Sequence, residues 1–158
     1  MNPMNSQRRN VLKGAGAASA VSVAVAAGLM KPTFAFAGWN KAGFEAKDIG
    51  GAMGSIGASG AAASGDIVVK APDIAENGAV VPVEITSNIA GTDSIAIIGE
   101  KNALPLIAVF NLSNGAQGYV STRIKMGSTS NVVAVVKAGG KVYKAHKEVK
   151  VTIGGCGG

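Results

Sequence analysis

Residue types on which protein chemistry often depends are scarce in this chain. Its 158 residues include one cysteine, Cys156, one histidine, His146, and only 4% aromatic residues. A single cysteine excludes an intrachain disulfide, and one cysteine with one histidine is too small a ligand set for a zinc site. The absence of a basic patch interleaved with aromatic residues argues against a surface that stacks nucleic-acid bases.

Glycine and small apolar residues fill the composition instead. The chain has 23 glycines, 47% hydrophobic residues and 15% charged residues. This length is sufficient for one modest domain with its own core. Short strands joined by turns fit such a composition better than long helices do.

The formal net charge of +6 is unevenly distributed. Four basic residues and no acidic residue fall within positions 1–37, which leaves 11 basic and 9 acidic residues in the rest of the chain. From Arg123 onward there are seven basic residues and one acidic residue, Glu148. This basic end suggests an anionic ligand or partner, although lysines that keep strand faces soluble would produce the same pattern.

The first 37 residues have the order of an export signal. Arg8 and Arg9 precede a soft apolar run, and the A-x-A sequence at 35–37 predicts cleavage before Gly38. The arginine pair resembles the twin-arginine type, whose route carries folded proteins. An ordinary secretion signal and an uncut anchor are the alternatives, but the apolar run is short for a spanning helix. We therefore expect residues 1–37 to be removed and the mature protein to be periplasmic.

Residues 38–65 are the least regular part of the mature sequence. The spacing of apolar residues predicts one short helix from Lys41 to Met53, although three glycines weaken it. The stretch 54–65 is rich in Gly, Ala and Ser and predicts a linker.

Residues 66–153 predict a β-sandwich, because the hydrophobic period changes to two. Roughly seven or eight short strands with frequent turns are typical of an antiparallel sandwich of immunoglobulin type. Pro82 cannot donate a ladder hydrogen bond, so its strand is expected at an edge or a bulge. Gly139-Gly140 predicts a two-residue hairpin turn into the strand “KVYKA”, which a separate last strand, “KEVKVTI”, follows.

The last strand leads into the ending “GGCGG”. Its alternation predicts that Val149, Val151 and Ile153 face inward, so Ile153 is the last anchored side chain. The predicted arm consists of Cys156 and the glycines around it, Gly154, Gly155, Gly157 and Gly158. Glycine needs no room for a side chain, so this thread can enter a narrow channel with its thiol about 10 Å from the body.

No catalytic group accompanies the thiol in the sequence. The acidic residues form no paired-carboxylate motif, and the glycine-rich stretch 50–65 does not have the lysine or the strand–helix context of a phosphate-binding loop. His146 and Cys156 could form a thiol–imidazole pair, but a lone histidine is more often an ordinary strand or loop residue. An unperturbed thiol is mostly protonated at neutral pH, so activation is expected to come from a partner.

Four stretches together resemble the SoxY family of sulfur carriers. They are “GGCGG” after “KEVKVTI”, “APDIAENGAVVPVEI”, “STRIKM” and “VVAVVKAGGKVYKAHKEVKV”, and they span almost all of residues 66–158. The twin-arginine signal agrees with the resemblance. The stretch 54–65 and the glycine-broken helix depart from the family pattern.

The resemblance implies a covalent carrier of sulfur intermediates in periplasmic thiosulfate oxidation. It implies a mainly β, immunoglobulin-like antiparallel β-sandwich over 66–153, with a short amino-terminal helix and a swinging arm over 154–158. Cys156 would carry thiosulfate-derived and sulfane adducts, with no tightly bound cofactor, no metal and no catalytic residue in this chain. The sandwich subunit SoxZ, exported without its own signal, would pair with it. The cytochrome SoxAX, the metal-dependent hydrolase SoxB and, in some members, a sulfane dehydrogenase would act on the adducts.

Two other classes of function stay open on the residues alone. A structural or adhesion sandwich of the cell envelope would use Cys156 to dimerise. A thiol enzyme would use His146 together with Cys156. Nucleic acid, and a membrane after signal cleavage, are not expected as partners.

Overall fold

The computed structural model describes residues 40–113 and 115–152. The predicted signal (1–37), Ile153 and the predicted arm (154–158) lie outside these described residues. The elements are α1 (Lys41–Glu45), α2 (Ile49–Ser55), β1 (Ala62–Ala63), β2 (Ile67–Lys70), β3 (Ile74–Ala75), β4 (Val81–Ser87), β5 (Thr92–Gly99), β6 (Leu106–Asn111), β7 (Tyr119–Ile124), β8 (Ser130–Ala138) and β9 (Lys141–Val151). No helix in the described ranges is long and apolar enough to cross a bilayer.

The strands form two sheets that pack face to face. The large sheet has the order β1-β9-β8-β5-β6, with β3 also beside β9, and the small sheet has the order β2-β4-β7. The long pairs are antiparallel, whereas β1 and β3 run parallel to β9. The predicted mainly β, immunoglobulin-like sandwich is confirmed.

The core between the sheets follows from strand alternation. In β4, Val81, Val83 and Ile85 are at most 1% exposed, and the residues between them are less buried. A period of two turns one face of a strand toward the core. The large sheet contributes Ile95, Ile97, Val132, Ala134 and Val136 to the same cluster.

The outer face of the large sheet is also buried, because the segment that contains α1 and α2 covers it. Ala96, Ile98, Val133 and Val135 belong to a second apolar cluster with residues of that segment, Ala52, Ile56, Ala58 and Ala61. The predicted linker over 54–65 is therefore wrong, since three of these residues are buried and β1 pairs with β9. Burial on both faces also explains why β5 and β8 are apolar at successive positions.

The predicted single helix from Lys41 to Met53 is two helices. Ala46 has extended backbone angles (φ −60°, ψ 134°), which ends α1. Asp48 begins α2 as its N-cap, since its side chain accepts a hydrogen bond from the Gly51 N–H at 2.8 Å. An N-cap residue has a non-helical backbone, so the capping aspartate interrupts the helical stretch.

The predicted hairpin is confirmed, but the strand after it is longer than predicted. Gly139 and Gly140 have positive φ angles of 55° and 76°, as a type I′ turn requires. The two predicted strands that follow are one continuous strand of 11 residues, β9, which pairs with β8 as far as Ser130 opposite Val149.

The predicted edge position of the strand containing Pro82 is wrong, because β4 is central in the small sheet. Pro82 itself lies opposite Arg123 of β7, whereas β2 pairs with β4 only between Glu84 and Ser87. The proline is thus tolerated where β4 has a neighbour on one side only.

Burial on both faces of β5 predicts that truncating either of two adjacent side chains lowers the stability of the fold by a similar amount. We expect Ile97→Ala and Ile98→Ala each to lower the free energy of unfolding by about 2–5 kcal/mol, because each side chain fills a different core. Urea unfolding checks this. Val68→Ala, at a side chain 40% exposed, is the control. A cost for Ile98→Ala no larger than the control's would contradict the covering role of the helical segment.

Candidate functional site

The site is built at the end of β9, which leads toward the only cysteine. Thr152 is the last described residue, and Cys156 follows four residues later. The predicted site residues, Gly154, Gly155, Cys156, Gly157 and Gly158, lie outside the described part of the chain. What the structure shows is the segment from which the predicted arm departs, Val149–Thr152, which we call the arm root.

Along one edge of the arm root, a side chain provides the hydrogen bonds that a neighbouring strand would otherwise provide. The β8–β9 ladder ends at Ser130 opposite Val149, two residues before β9 ends. At Val151 the hydroxyl of Thr129 accepts a hydrogen bond from the backbone N–H at 2.9 Å. The same hydroxyl lies 3.4 Å from the Val151 carbonyl, to which it donates. Thr129 thus takes the position of a strand partner.

The opposite edge is held by β3. The Lys150 N–H donates to the Asp73 carbonyl at 2.9 Å, and the Thr152 N–H donates to the Ala75 carbonyl at 3.1 Å. The Thr152 hydroxyl lies 3.5 Å from the carbonyl oxygens of Ala75 and Glu76. The arm root is therefore hydrogen-bonded along both edges, to Thr129 as far as Val151 and to the β3 segment as far as Thr152.

Beside the arm root, the backbone of Gly78 lies close to that of Met126. The Met126 N–H donates to the Gly78 carbonyl at 2.7 Å. A Cβ atom on Gly78 would lie 2.5 Å from the Met126 carbonyl oxygen and 2.8 Å from Cγ1 of Val151. By itself the dipeptide Asn77-Gly78 indicates only a turn. The approach is a tertiary contact that this local pattern does not reveal.

Two amide side chains fix the loop that carries Thr129. Asn102 donates from Nδ2 to the Lys125 carbonyl at 2.7 Å and accepts from the Gly127 N–H at 2.9 Å. Asn131 donates to Oε2 of Glu100 at 2.8 Å, and the Glu100 N–H donates to the Asn131 carbonyl at 3.1 Å. The β5–β6 loop therefore supports the β7–β8 loop on both sides of Thr129.

The basic residues of β9 differ in their surroundings. Nζ of Lys147 lies 3.0 Å from Oδ1 of Asp73, so this lysine already has an acidic partner. Lys150 is exposed, and Lys144 is half-buried beside β1. Lys144 and Lys150 are therefore better candidates for contact with an anionic partner than Lys147 is.

His146 lies exposed on β9 opposite Val133 of β8, away from the core between the sheets. Within residues 40–113 and 115–152, no three side chains of the metal-ligating kinds His, Cys, Asp and Glu cluster closely enough to hold a metal ion. The relation of His146 to Cys156 falls outside the described residues.

Comparison with known proteins identifies the family. A family model described as sulfur oxidation protein SoxY matches residues 54–156. The chain belongs to the SoxY family. The matched range of this SoxY protein ends on Cys156 and begins within α2, so α1 precedes the part that the family model covers.

A solved structure supports the same assignment. The structure of the sulfur carrier protein SoxY from Chlorobium limicola f thiosulfatophilum is 41% identical to this SoxY chain, with a TM-score of 0.61. The match covers 68% of this chain and 95% of that chain. No curated protein matches the sequence.

Gly78 provides a test of the packing at the arm root. We expect Gly78→Ala to lower the free energy of unfolding by about 1–3 kcal/mol, because the added methyl group overlaps Met126 and Val151. Gly60→Ala is the matched control, since a Cβ there meets nothing within 4 Å. Denaturant unfolding of both variants checks this, and equal stability would show that the approach at Gly78 is not close.

Proposed function

We propose that this SoxY protein is a non-catalytic covalent carrier of sulfur intermediates in thiosulfate oxidation, with Cys156 as the attachment residue. The observation that carries the proposal is the family match, which extends to residue 156. The relative of known structure is named a sulfur carrier. The hydrogen-bonded arm root supports the proposal further, since it brings a firm strand to within four residues of the only thiol.

Loading in this proposal is an oxidative conjugation. A bond forms between the Cys156 sulfur and the terminal sulfur of thiosulfate, the thiol proton leaves, and two electrons pass to a cytochrome of the SoxAX kind. The product is a cysteine S-thiosulfonate. Water then attacks the sulfone in a hydrolase of the SoxB kind, which releases sulfate and protons and leaves a persulfide on Cys156. A sulfane dehydrogenase would oxidise that persulfide further.

In this proposal the chain presents the Cys156 thiol and its adducts to the partner enzymes. Glycines on both sides of Cys156 leave the thiol as the only side chain that a partner's channel must accommodate. Ordering each glycine on docking costs about 1–2 kcal/mol of backbone freedom, so binding of the arm is weak and release is easy. Acid, base and redox groups belong to the partner enzymes.

Export as a folded complex completes the proposal. The twin-arginine type of signal over 1–37 would carry a folded chain to the periplasm together with SoxZ, which has no signal of its own. Co-purification of a small second sandwich subunit from the periplasm tests this pairing. A carrier that is isolated alone at every salt concentration would contradict it.

Mass spectrometry of the intact purified protein tests the carrier function. We expect adducts in steps of sulfur or thiosulfate mass that a reductant removes and that are absent from the Cys156→Ser variant, because the adducts are covalent. His146→Ala is the control and should load normally. Only a doubled, reducible chain would favour the cell-envelope dimer. Loss of activity in His146→Ala would favour a thiol enzyme.

Charge reversal tests whether β9 helps to attract partners. We expect Lys144→Glu combined with Lys150→Glu to slow loading by the cytochrome by about tenfold at low ionic strength, with the effect shrinking as salt screens it. Lys41→Glu combined with Lys47→Glu on the helical segment is the control of equal charge change. Equal slowing by both pairs, measured as loading rate against salt, would contradict local attraction.

A further inference from the structure

The end of β9 is ordered beyond the ladder that β8 provides. Antiparallel partners stop at Ser130 opposite Val149, yet Val151 still has both backbone groups hydrogen-bonded, to the single hydroxyl of Thr129. A threonine hydroxyl can donate and accept at the same time, which is what a strand residue needs from its neighbour.

We infer that Thr129 is a positioning residue that fixes the point from which the arm leaves the β-sandwich. This inference rests on the proposed carrier function for its biological meaning, but the contacts themselves do not. Thr129 is exposed, so it fills no core space and acts through its hydroxyl. The two amide clamps, from Asn102 and Asn131, hold its loop in place.

The position of the departure point determines the length of the tether. With Thr152 held, Cys156 is the fourth residue beyond the body, a reach of about 13 Å at about 3.3 Å per residue. If β9 were released after Val149, Cys156 would be the seventh residue beyond the body and the reach would be about 23 Å. When a partner is docked on the β-sandwich, the effective concentration of the thiol at the partner's site falls roughly as the −3/2 power of tether length. The longer tether would therefore lower that concentration about twofold.

The glycines around Cys156 explain why the arm must be oriented from the arm root. The residues that flank Cys156 have no side chains with which to orient it, so its direction must be imposed upstream. Thr152 and β3 restrain one edge, and Thr129 restrains the other. Removing Thr129 should leave the arm root attached along one edge only.

Thr129→Val and Thr129→Ser test the inference, because valine has the same shape without the hydroxyl and serine retains the hydroxyl. Ser130→Ala is the matched control, since the adjacent Ser130 hydroxyl is buried without a hydrogen-bond partner among the described residues. Amide exchange at Val151 is measured by NMR, and the mobility of a nitroxide attached to Cys156 is measured by electron paramagnetic resonance.

We expect Thr129→Val to speed exchange at Val151 at least about fivefold and to raise nitroxide mobility, because a hydrogen bond is lost. Thr129→Ser should restore both, and Ser130→Ala should change neither. Alkylation of Cys156 by a small maleimide should stay the same. Enzymatic loading of Thr129→Val should show a KM for the carrier raised by at most about twofold, the limit for complete release after Val149, with kcat unchanged.

Unchanged exchange and mobility in Thr129→Val would overturn the inference, and so would equal effects from Ser130→Ala. Circular dichroism checks the fold of each variant, and Thr129→Ala serves as a second hydroxyl-free variant should valine unfold the loop. If the wild-type protein carries no sulfur adduct, the proposed function fails. Exchange and mobility still decide the role of Thr129 in that case.

Discussion

Hydrogen bonding along both edges of β9 is the interaction on which the rest of the structure depends. One edge pairs with β8 over nine residue pairs, and the other meets β1 and β3, which arrive from distant parts of the chain. The strand therefore joins the carboxyl-terminal hairpin to the segments on either side of β2.

The segment that contains α1 and α2 shields the outer apolar face of the large sheet from water. Strands β5 and β8 present apolar side chains to both faces, so a sandwich of two sheets alone would leave one apolar face in water. Ala52, Ala58 and Ala61 are small enough to let the segment approach the sheet closely. A thin layer, two short helices and an extended stretch, is sufficient to cover that face.

The sequence predicted what local patterns encode. Alternation revealed the core face of β4, and Gly139-Gly140 revealed the hairpin, because both depend on neighbouring residues. The covering role of residues 54–65 and the parallel strands β1 and β3 depend on contacts with distant residues, which no local pattern encodes. The break at Asp48 is local, since its side chain caps the Gly51 N–H, but the apolar spacing that predicted one helix does not show this cap. At the candidate site, Cys156 was predicted from the sequence, whereas Thr129 and Gly78 were not, since their contacts with Val151 form only in the folded chain.

The turn at Gly139-Gly140 lies at the opposite end of β9 from the arm root, so one rigid strand separates the two. A Cβ atom at either glycine would meet nothing within 4 Å. A peptide tag inserted in this turn would therefore anchor the protein to a solid support from the end of β9 opposite the arm root. Immobilised in this orientation, the protein would serve as an affinity matrix for the enzymes proposed to act on Cys156.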